Sequence, residues 1–340
     1  MTIANPFKIA CYGAGYFSQF HFDAWNRTEG AQLVGIANRN QDNIPDLGID
    51  KFGDVDSLLK ATDADLLDII TPPVTHLAAI KQAVDFGVKA IICQKPFCSN
   101  IEEANEAAKL AKDAGIPLVI HENFRFQPWY RVIKQQLDVG VIGDLLQVTF
   151  RLRTGDGQGE DAYLDRQPFF REMDKLLIHE TGVHWVDTFR FLLGDPKSVY
   201  ADLRQLNPAI KGEDAGFMLF DYGQGKRALF DGNRLLDHDA ENCRTTLGEG
   251  LFEGSEGTLK LYGNGSVTLR KFGEQTKTTL LEAKQWQGFG GDCVYALQKH
   301  VIDGLLTGSA LENEALQYLK VIEIEDAVYQ STSENRKVNL

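Results

Sequence analysis

In the first third of the chain, apolar residues fall in short unbroken runs separated by stretches where they recur every three or four positions. Residues 9–12, 32–37, 65–70, 88–93 and 116–121 read as strands, the continuous apolar ones as strands buried on both faces. Between them Phe17, Phe20 and Ala24 keep helical spacing, and a second helix spans about residues 75–86 with Gly87 placed to end it. Ser99 and Glu102 form a capping box for a third helix, which runs to Ala114 and closes at Gly115. Strand and helix in alternation predict a parallel sheet covered on both faces. Right-handed crossovers then bring the loops after Tyr12, Ala37, Ile70, Cys93 and His121 to one edge, along one crevice.

Beyond residue 122 the texture changes. A helix over 128–139 precedes Gly140 and Gly143, and 145–153 reads as a strand. Residues 176–193 read as a helix over most of their length, stopped by Gly194-Asp195-Pro196. From Ser198 to about Phe272 come several strands with hairpin signals at Gly223-Gln224-Gly225 and Gly263-Asn264-Gly265. Helices over 292–306 and 313–329 follow. The pattern predicts an α/β domain over residues 1–122 and an α+β domain with a large, mostly antiparallel sheet over 123–340.

Composition narrows what such a chain does. With 35 Lys+Arg against 48 Asp+Glu the net charge is −13, which argues against a nucleic-acid or anionic-membrane surface. No apolar run approaches the roughly 20 residues of a membrane span, and no charged segment followed by an apolar one precedes the first strand. A soluble, cytoplasmic protein is the expectation. The five cysteines (11, 93, 98, 243 and 293) show no metal-type pairing, as in a reduced compartment.

The chemistry concentrates in a few stretches. The first strand ends in Gly13-Ala14-Gly15, followed by a helix, so backbone N–H groups and a helix dipole face one spot suited to a dinucleotide pyrophosphate. The third glycine of the G-x-G-x-x-G pattern is Ser18, which is small enough for close helix–strand packing. Asn38-Arg39 ends the second strand where a carboxylate would hold the ribose of NAD. Asparagine still bonds a hydroxyl, and Arg39 either attracts a 2′-phosphate or stacks near adenine, so NAD and NADP both remain open. Lys95-Pro96 follows a buried strand at the crevice edge, where an ammonium can hydrogen-bond a substrate oxygen. His76 either lines the crevice or caps its helix. His179 and His184 are five apart, about 500° of helix rotation, so roughly 140° separates them. That geometry argues against a shared metal ion. Glu180 and His184, four apart, share one helix face, where a carboxylate orients an imidazole able to act as a general base. Asp187 and Arg190 read as a helical ion pair.

Taken together in order, Gly13-Ala14-Gly15, Thr71-Pro72 with His76, Gln94-Lys95-Pro96, Glu122-Asn123 with Arg125 and Pro128, and Glu180-Thr181-Gly182-Val183-His184 resemble the Gfo/Idh/MocA oxidoreductases nearly end to end. The resemblance implies a Rossmann domain for NAD or NADP, held by Gly13, Gly15, Tyr16, Phe17, Asn38, Arg39, Thr71, Pro72, His76, Gln94, Lys95 and Asn123. It also implies an open antiparallel sheet that builds homodimers or homotetramers, and a catalytic set of Lys95, Glu180 and His184 meeting the substrate beside the nicotinamide. Two departures stand out: Gln94 replaces the usual Glu of Glu-Lys-Pro, and Glu180 replaces the usual Asp. The stretch Gln167-Pro168-Phe169-Phe170-Arg171 is similar to a branch that includes D-apiose dehydrogenase, which makes Arg153, Tyr163, Arg166 and Arg171 candidate substrate contacts. A structural loop is the competing assignment for them. The expected activity is hydride transfer between a sugar or polyol carbon, an aldose such as D-apiose among them, and NAD(P). An NAD-dependent glycosidase and a cofactor-sensing regulator are the alternatives.

Overall fold

The structure, a computed structural model, describes residues 6–340. The chain begins with β1 (Phe7–Tyr12), α1 (Ser18–Arg27), β2 (Ala31–Ala37), β3 (Asp50–Phe52), α2 (Val55–Thr62), β4 (Leu66–Ile69), α3 (His76–Phe86), β5 (Ala90–Gln94), α4 (Ile101–Asp113) and β6 (Leu118–His121). It continues with α5 (Pro128–Asp138), β7 (Leu145–Leu152), a π-helical turn (Leu177–Gly182), α6 (Val183–Leu193), β8 (Ser198–Arg204), β9 (Ala215–Gly223), β10 (Lys226–Asn233), β11 (Gly248–Gly254), β12 (Gly257–Leu261), β13 (Val267–Lys271) and β14 (Thr278–Leu281). The last elements are α7 (Cys293–Thr307), α8 (Ala315–Glu334) and β15 (Val338–Asn339).

Two compact units result. The first holds residues 6–123 with Cys293–Lys320, the second Phe124–Asp292 with Val321–Leu340. The sequence reading places the whole of residues 123–340 in a second domain. The segment Cys293–Lys320, assigned there to the second domain, belongs to the first unit instead, because α7 packs on α1, with Arg27 over the Tyr295 ring at 4.7 Å.

In the first unit six parallel strands stand in the order β3-β2-β1-β4-β5-β6, the dinucleotide-binding arrangement of a doubly wound sheet. Every residue of β4, β5 and β6 is buried, as continuous apolar runs require. β3 and α2 lie outside the elements read from sequence. β3 is a three-residue edge strand with no apolar run to betray it. α2 does carry Val55, Leu58 and Leu59 on one face behind an Asp54 cap on the Ser57 N–H at 2.8 Å. The cap of α4 also shifts by one residue. Asn100 Oδ1 accepts the Glu103 N–H at 2.8 Å, while Glu103 reaches back to the Ser99 N–H at 3.1 Å.

In the second unit nine strands form one sheet in the order β14-β13-β12-β11-β7-β10-β9-β8-β15. All neighbours are antiparallel except the central pair β7 and β10. Both predicted hairpins form, with Gly225 at φ 80° joining β9 to β10 and Gly265 at φ 84° joining β12 to β13. Inward residues alternate along the strands: Phe150 and Leu152 of β7, Met218 and Phe220 of β9, Ala228 and Phe230 of β10, Leu259 and Leu261 of β12. Trp185 of α6 seats in this face, its ring 4.4 Å from Phe150 and 5.3 Å from Phe230.

Candidate active site

β1 delivers the chain into the glycine turn. The Gly13 N–H donates to Ala37 O at 2.8 Å and the Ile70 N–H to Tyr12 O at 2.7 Å, wedging the turn between the ends of β2 and β4. Gly13 sits at φ 120°, and a Cβ there would lie 2.9 Å from the Ile70 carbonyl carbon. Only glycine fits. Gly15 is the opposite case: a Cβ added to it meets nothing within 4 Å. The space above its backbone is open, and α1 begins three residues later with no side-chain cap at Phe17. An open backbone approach next to an uncapped helix N-terminus suits a pyrophosphate, so the residues present fit a dinucleotide.

Around this cradle the expected cofactor residues divide. Tyr16 is 47 % exposed and packs edge-on to Phe20, and Phe17 lies against Phe20 and His21. Asn38 accepts the Ala14 N–H at 3.2 Å and donates to Asn40 O at 2.6 Å. Its carboxamide therefore braces the glycine turn, and Arg39 is the exposed side chain at the end of β2. Thr71 and Pro72 follow β4, and the Thr71 hydroxyl lies 2.6 Å from that of Thr75. His76 does not line an open crevice. It is wholly buried, with Nε2 2.7 Å from Thr71 O and Nδ1 accepting the Cys98 N–H at 3.3 Å. Burial pushes the imidazole down to about 4, against smaller opposing effects of Thr71 and Glu103. His76 is a neutral pin between the loops after β4 and β5. Gln94 is buried at the end of β5, and half-buried Lys95 follows it, joined to Pro96 by a cis peptide. Asn123 is buried after β6.

All five cysteines are free thiols. Burial raises the thiols of Cys11 and Cys93, and pushes Cys98 up to about 12, so none of the three is a nucleophile at neutral pH.

In the second unit the segment 176–193, expected to be helical over most of its length, opens into a π-helical turn at its start. The Val183 N–H reaches back five residues to Ile178 O, so Glu180 lies in a π-helical turn and His184 in the first turn of α6. His184 is buried and lies flat on Phe124, centroids 3.7 Å apart and planes 3° from parallel. Trp185 closes edge-on against the same Phe124 ring and donates its Nε1–H to Tyr130 at 3.1 Å. Asp187 does not pair with Arg190. It is fully buried and grips Arg125 in a two-point contact of 2.8 and 2.6 Å, whereas Arg190 turns to Asp195 at 2.6 Å. His179 faces Glu325 of α8 at 2.6 Å. Among the described residues no group of three His, Cys, Asp or Glu is arranged to hold a metal ion.

The four candidate substrate contacts of this unit are engaged by the protein. Arg153 binds Asp231 and the Leu152 carbonyl, and Arg171 donates to Ala209 O at 3.2 Å. Tyr163 and Arg166 converge on Asp156 at 3.2 and 3.1 Å. Arg234, which sequence reading missed, joins them: it contacts Tyr163 and Asp156 at 3.2 and 3.3 Å and also binds the Thr181 hydroxyl. Burial alone would raise the Asp156 carboxyl, but Arg234, Thr154 and Arg166 outweigh it and hold it below the usual range. The knot ties the 154–170 loop to the turn that carries Glu180. An arginine after an unremarkable strand gave no sequence signal.

Two models of one family match most of this architecture: the oxidoreductase family with an NAD-binding Rossmann fold over residues 7–121, and its C-terminal domain over residues 130–260. The chain belongs to the Gfo/Idh/MocA oxidoreductases and binds NAD through its first unit. It is 29 % identical to D-apiose dehydrogenase of Rhizobium rhizogenes over 98 % of this chain and 97 % of that one. It is 28 % identical to inositol 2-dehydrogenase of Rhizobium meliloti over 67 % of this chain and 68 % of that one. Among solved structures, an oxidoreductase from Agrobacterium radiobacter in complex with NAD+, L-tartaric acid and magnesium superposes with a TM-score of 0.89. Identity there is 27 %, and 98 % of each chain is covered.

Gly15→Ala should leave the thermal midpoint unchanged and weaken NAD+ binding by about tenfold or more, because the methyl enters space that only a ligand would occupy; calorimetric titration checks it. His76 generates a pH prediction. Its folded pKa lies below the unfolded value, so the unfolded chain takes up the proton more readily. The stability it confers is full above about pH 6.5 and lost as pH falls toward 4, at most about 3 kcal/mol. Urea denaturation of His76→Asn from pH 4.5 to 7.5 should show a flatter acid limb than the parent.

Proposed function

We propose that this protein is an NAD(P)-dependent dehydrogenase of a sugar or polyol, with an aldose such as D-apiose as the first substrate to test. The observation that carries the reading is the likeness to D-apiose dehydrogenase along nearly the whole of both chains. Lys95 and His184, with Glu180 in place of the usual Asp, support it. When bound in the Gly13–Gly15 cradle, the nicotinamide cofactor supplies the hydride acceptor. His184 takes the proton of the substrate hydroxyl, and its stacking on Phe124 fixes the plane in which the imidazole meets that proton. Glu180 supports the imidazolium that forms. The Lys95 ammonium hydrogen-bonds the reacting oxygen and stabilises the charge that develops on it. No carboxylate stands at residues 38–40 to repel a 2′-phosphate, and Arg39 is exposed there, so NADP+ is accepted beside NAD+.

Assembly follows from the other face of the large sheet. Tyr200, Leu219, Leu229, Thr149 and Leu251 stand in one cross-strand row there, each half-buried in the single chain. Association of copies through this face, as a homodimer or homotetramer, covers the row.

Lys95→Ala and His184→Ala should each lower kcat roughly 10²-fold or more while NAD+ still binds. The assay is a panel of pentoses, hexoses, branched sugars and inositols with NAD+ and NADP+ separately. Near-normal turnover in both variants would reject the assignment. Light scattering should give a multiple of the 37.9 kDa chain mass, and Leu229→Arg should shift it toward the monomer.

A further inference from the structure

Two histidine-bearing elements of the first unit, α1 and β6, meet around Asp68 and Gln94. Asp68 of β4 is fully buried, and its Oδ2 takes the Trp25 Nε1–H at 2.7 Å and lies 2.8 Å from His21 Nδ1, both from α1. His21 is also fully buried, and its other nitrogen, Nε2, lies 3.0 Å from Gln94 Nε2. The same Gln94 nitrogen stands 3.5 Å from His121 Nδ1 of β6, and the two imidazoles are 4.1 Å apart. Gln94 Oε1 accepts the backbone N–H of Lys95 at 2.9 Å. Further neighbours are the Cys11 thiol of β1, 4.0 Å from Asp68, the Cys93 thiol preceding Gln94, and the Phe17 ring just before α1.

The directions of these bonds are forced. A peptide N–H only donates, so the Gln94 oxygen must face Lys95. The Gln94 amide then presents N–H to His21, whose Nε2 must be bare to accept it. The imidazole proton is therefore on Nδ1, where the Asp68 carboxylate receives it. Turning the carboxamide over would set donor against donor at Lys95 and the carbonyl oxygen against the bare Nε2 of His21.

We propose that Gln94 and His21 are positioning residues for Lys95: a one-way hydrogen-bond chain from the Lys95 backbone through Gln94 holds His21 as the neutral Nδ1–H tautomer and ties the end of β5 to α1 and Asp68. The chain joins the peptide of the candidate catalytic lysine to the helix under the glycine turn. An ionised glutamate at position 94, the residue usual in the family, presents only acceptors. It requires a second proton on His21, so the exchange of Glu for Gln decides the charge of a sealed imidazole. The kinetic arm below rests on the reading of Lys95 given above; the tautomer arm does not.

The test is long-range 1H–15N correlation spectroscopy of full-length, 15N-histidine-labelled protein at pH 7.5, with His21 assigned by its loss in His21→Asn. The parent should show a protonated Nδ1 and a bare Nε2, and Gln94→Glu should show both nitrogens protonated. A proton on Nε2 in the parent, or an unchanged bare Nε2 in Gln94→Glu, overturns the proposal. If Gln94→Glu does not fold, the parent spectrum decides alone. Gln94→Met removes both partners; it should leave His21 Nδ1 protonated and lower kcat about tenfold. Parental kcat in Gln94→Met refutes the positioning role. If instead Lys95→Ala keeps its turnover while the tautomers are as stated, the catalytic reading of Lys95 fails and the hydrogen-bond chain stands.

Discussion

A carboxylate sealed inside an apolar sheet governs the first unit. Asp68 has no exposure, and an ionised carboxyl in such a place costs several kcal/mol unless donors meet it. Trp25 and His21, one turn apart on α1, supply two N–H groups to a single oxygen. That demand fixes the rotation and height of α1 against β4, and with them the position of its uncapped N-terminus beside Gly13 and Gly15. The anion cradle is thus set from below, by a polar contact in the core, as much as by the glycines at its rim.

The second unit solves a different problem. A nine-stranded sheet with one parallel pair at its centre needs a long connection between β7 and β10, and that connection contains the 154–170 loop, the π-helical turn and α6. Irregular backbone of this length holds its shape only if charged groups inside it are met. Asp156 does so by collecting Tyr163, Arg166 and Arg234, and Asp187 does so by gripping Arg125. His184 is positioned by packing instead, between the Phe124 face and the wall that Trp185 builds on Phe150.

Features whose cause is local were legible in the sequence. Apolar runs announced the buried strands, and Gly87 and the Gly263-Asn264-Gly265 turn did what their backbone freedom allows. Gly13, Gly15 and Lys95-Pro96 could be found because glycine and proline mark backbone geometry directly. Features whose cause lies far along the chain were not. Asp187 looked like a partner for Arg190 at helical spacing, but Arg125, 62 residues away, meets it with two bonds instead of one. His76 looked like a crevice residue because its burial depends on the loop that ends in Cys98. His21 had no motif around it, since its partners are Asp68 and Gln94, on two other strands. The break at Leu177–Gly182 was hidden because one extra residue in a single turn leaves too short a stretch for the apolar spacing to reveal it.

The buried thiols have a consequence of their own. Peroxides and alkylating agents react with thiolate, and the groups at Cys11, Cys93 and Cys98 are kept in the protonated form away from water. Sulfur is thereby shut out of the electron traffic of a chain whose work is oxidation and reduction. Oxidative stress in the surrounding medium would reach partly exposed Cys243 well before it touched the residues packed behind the dinucleotide cradle.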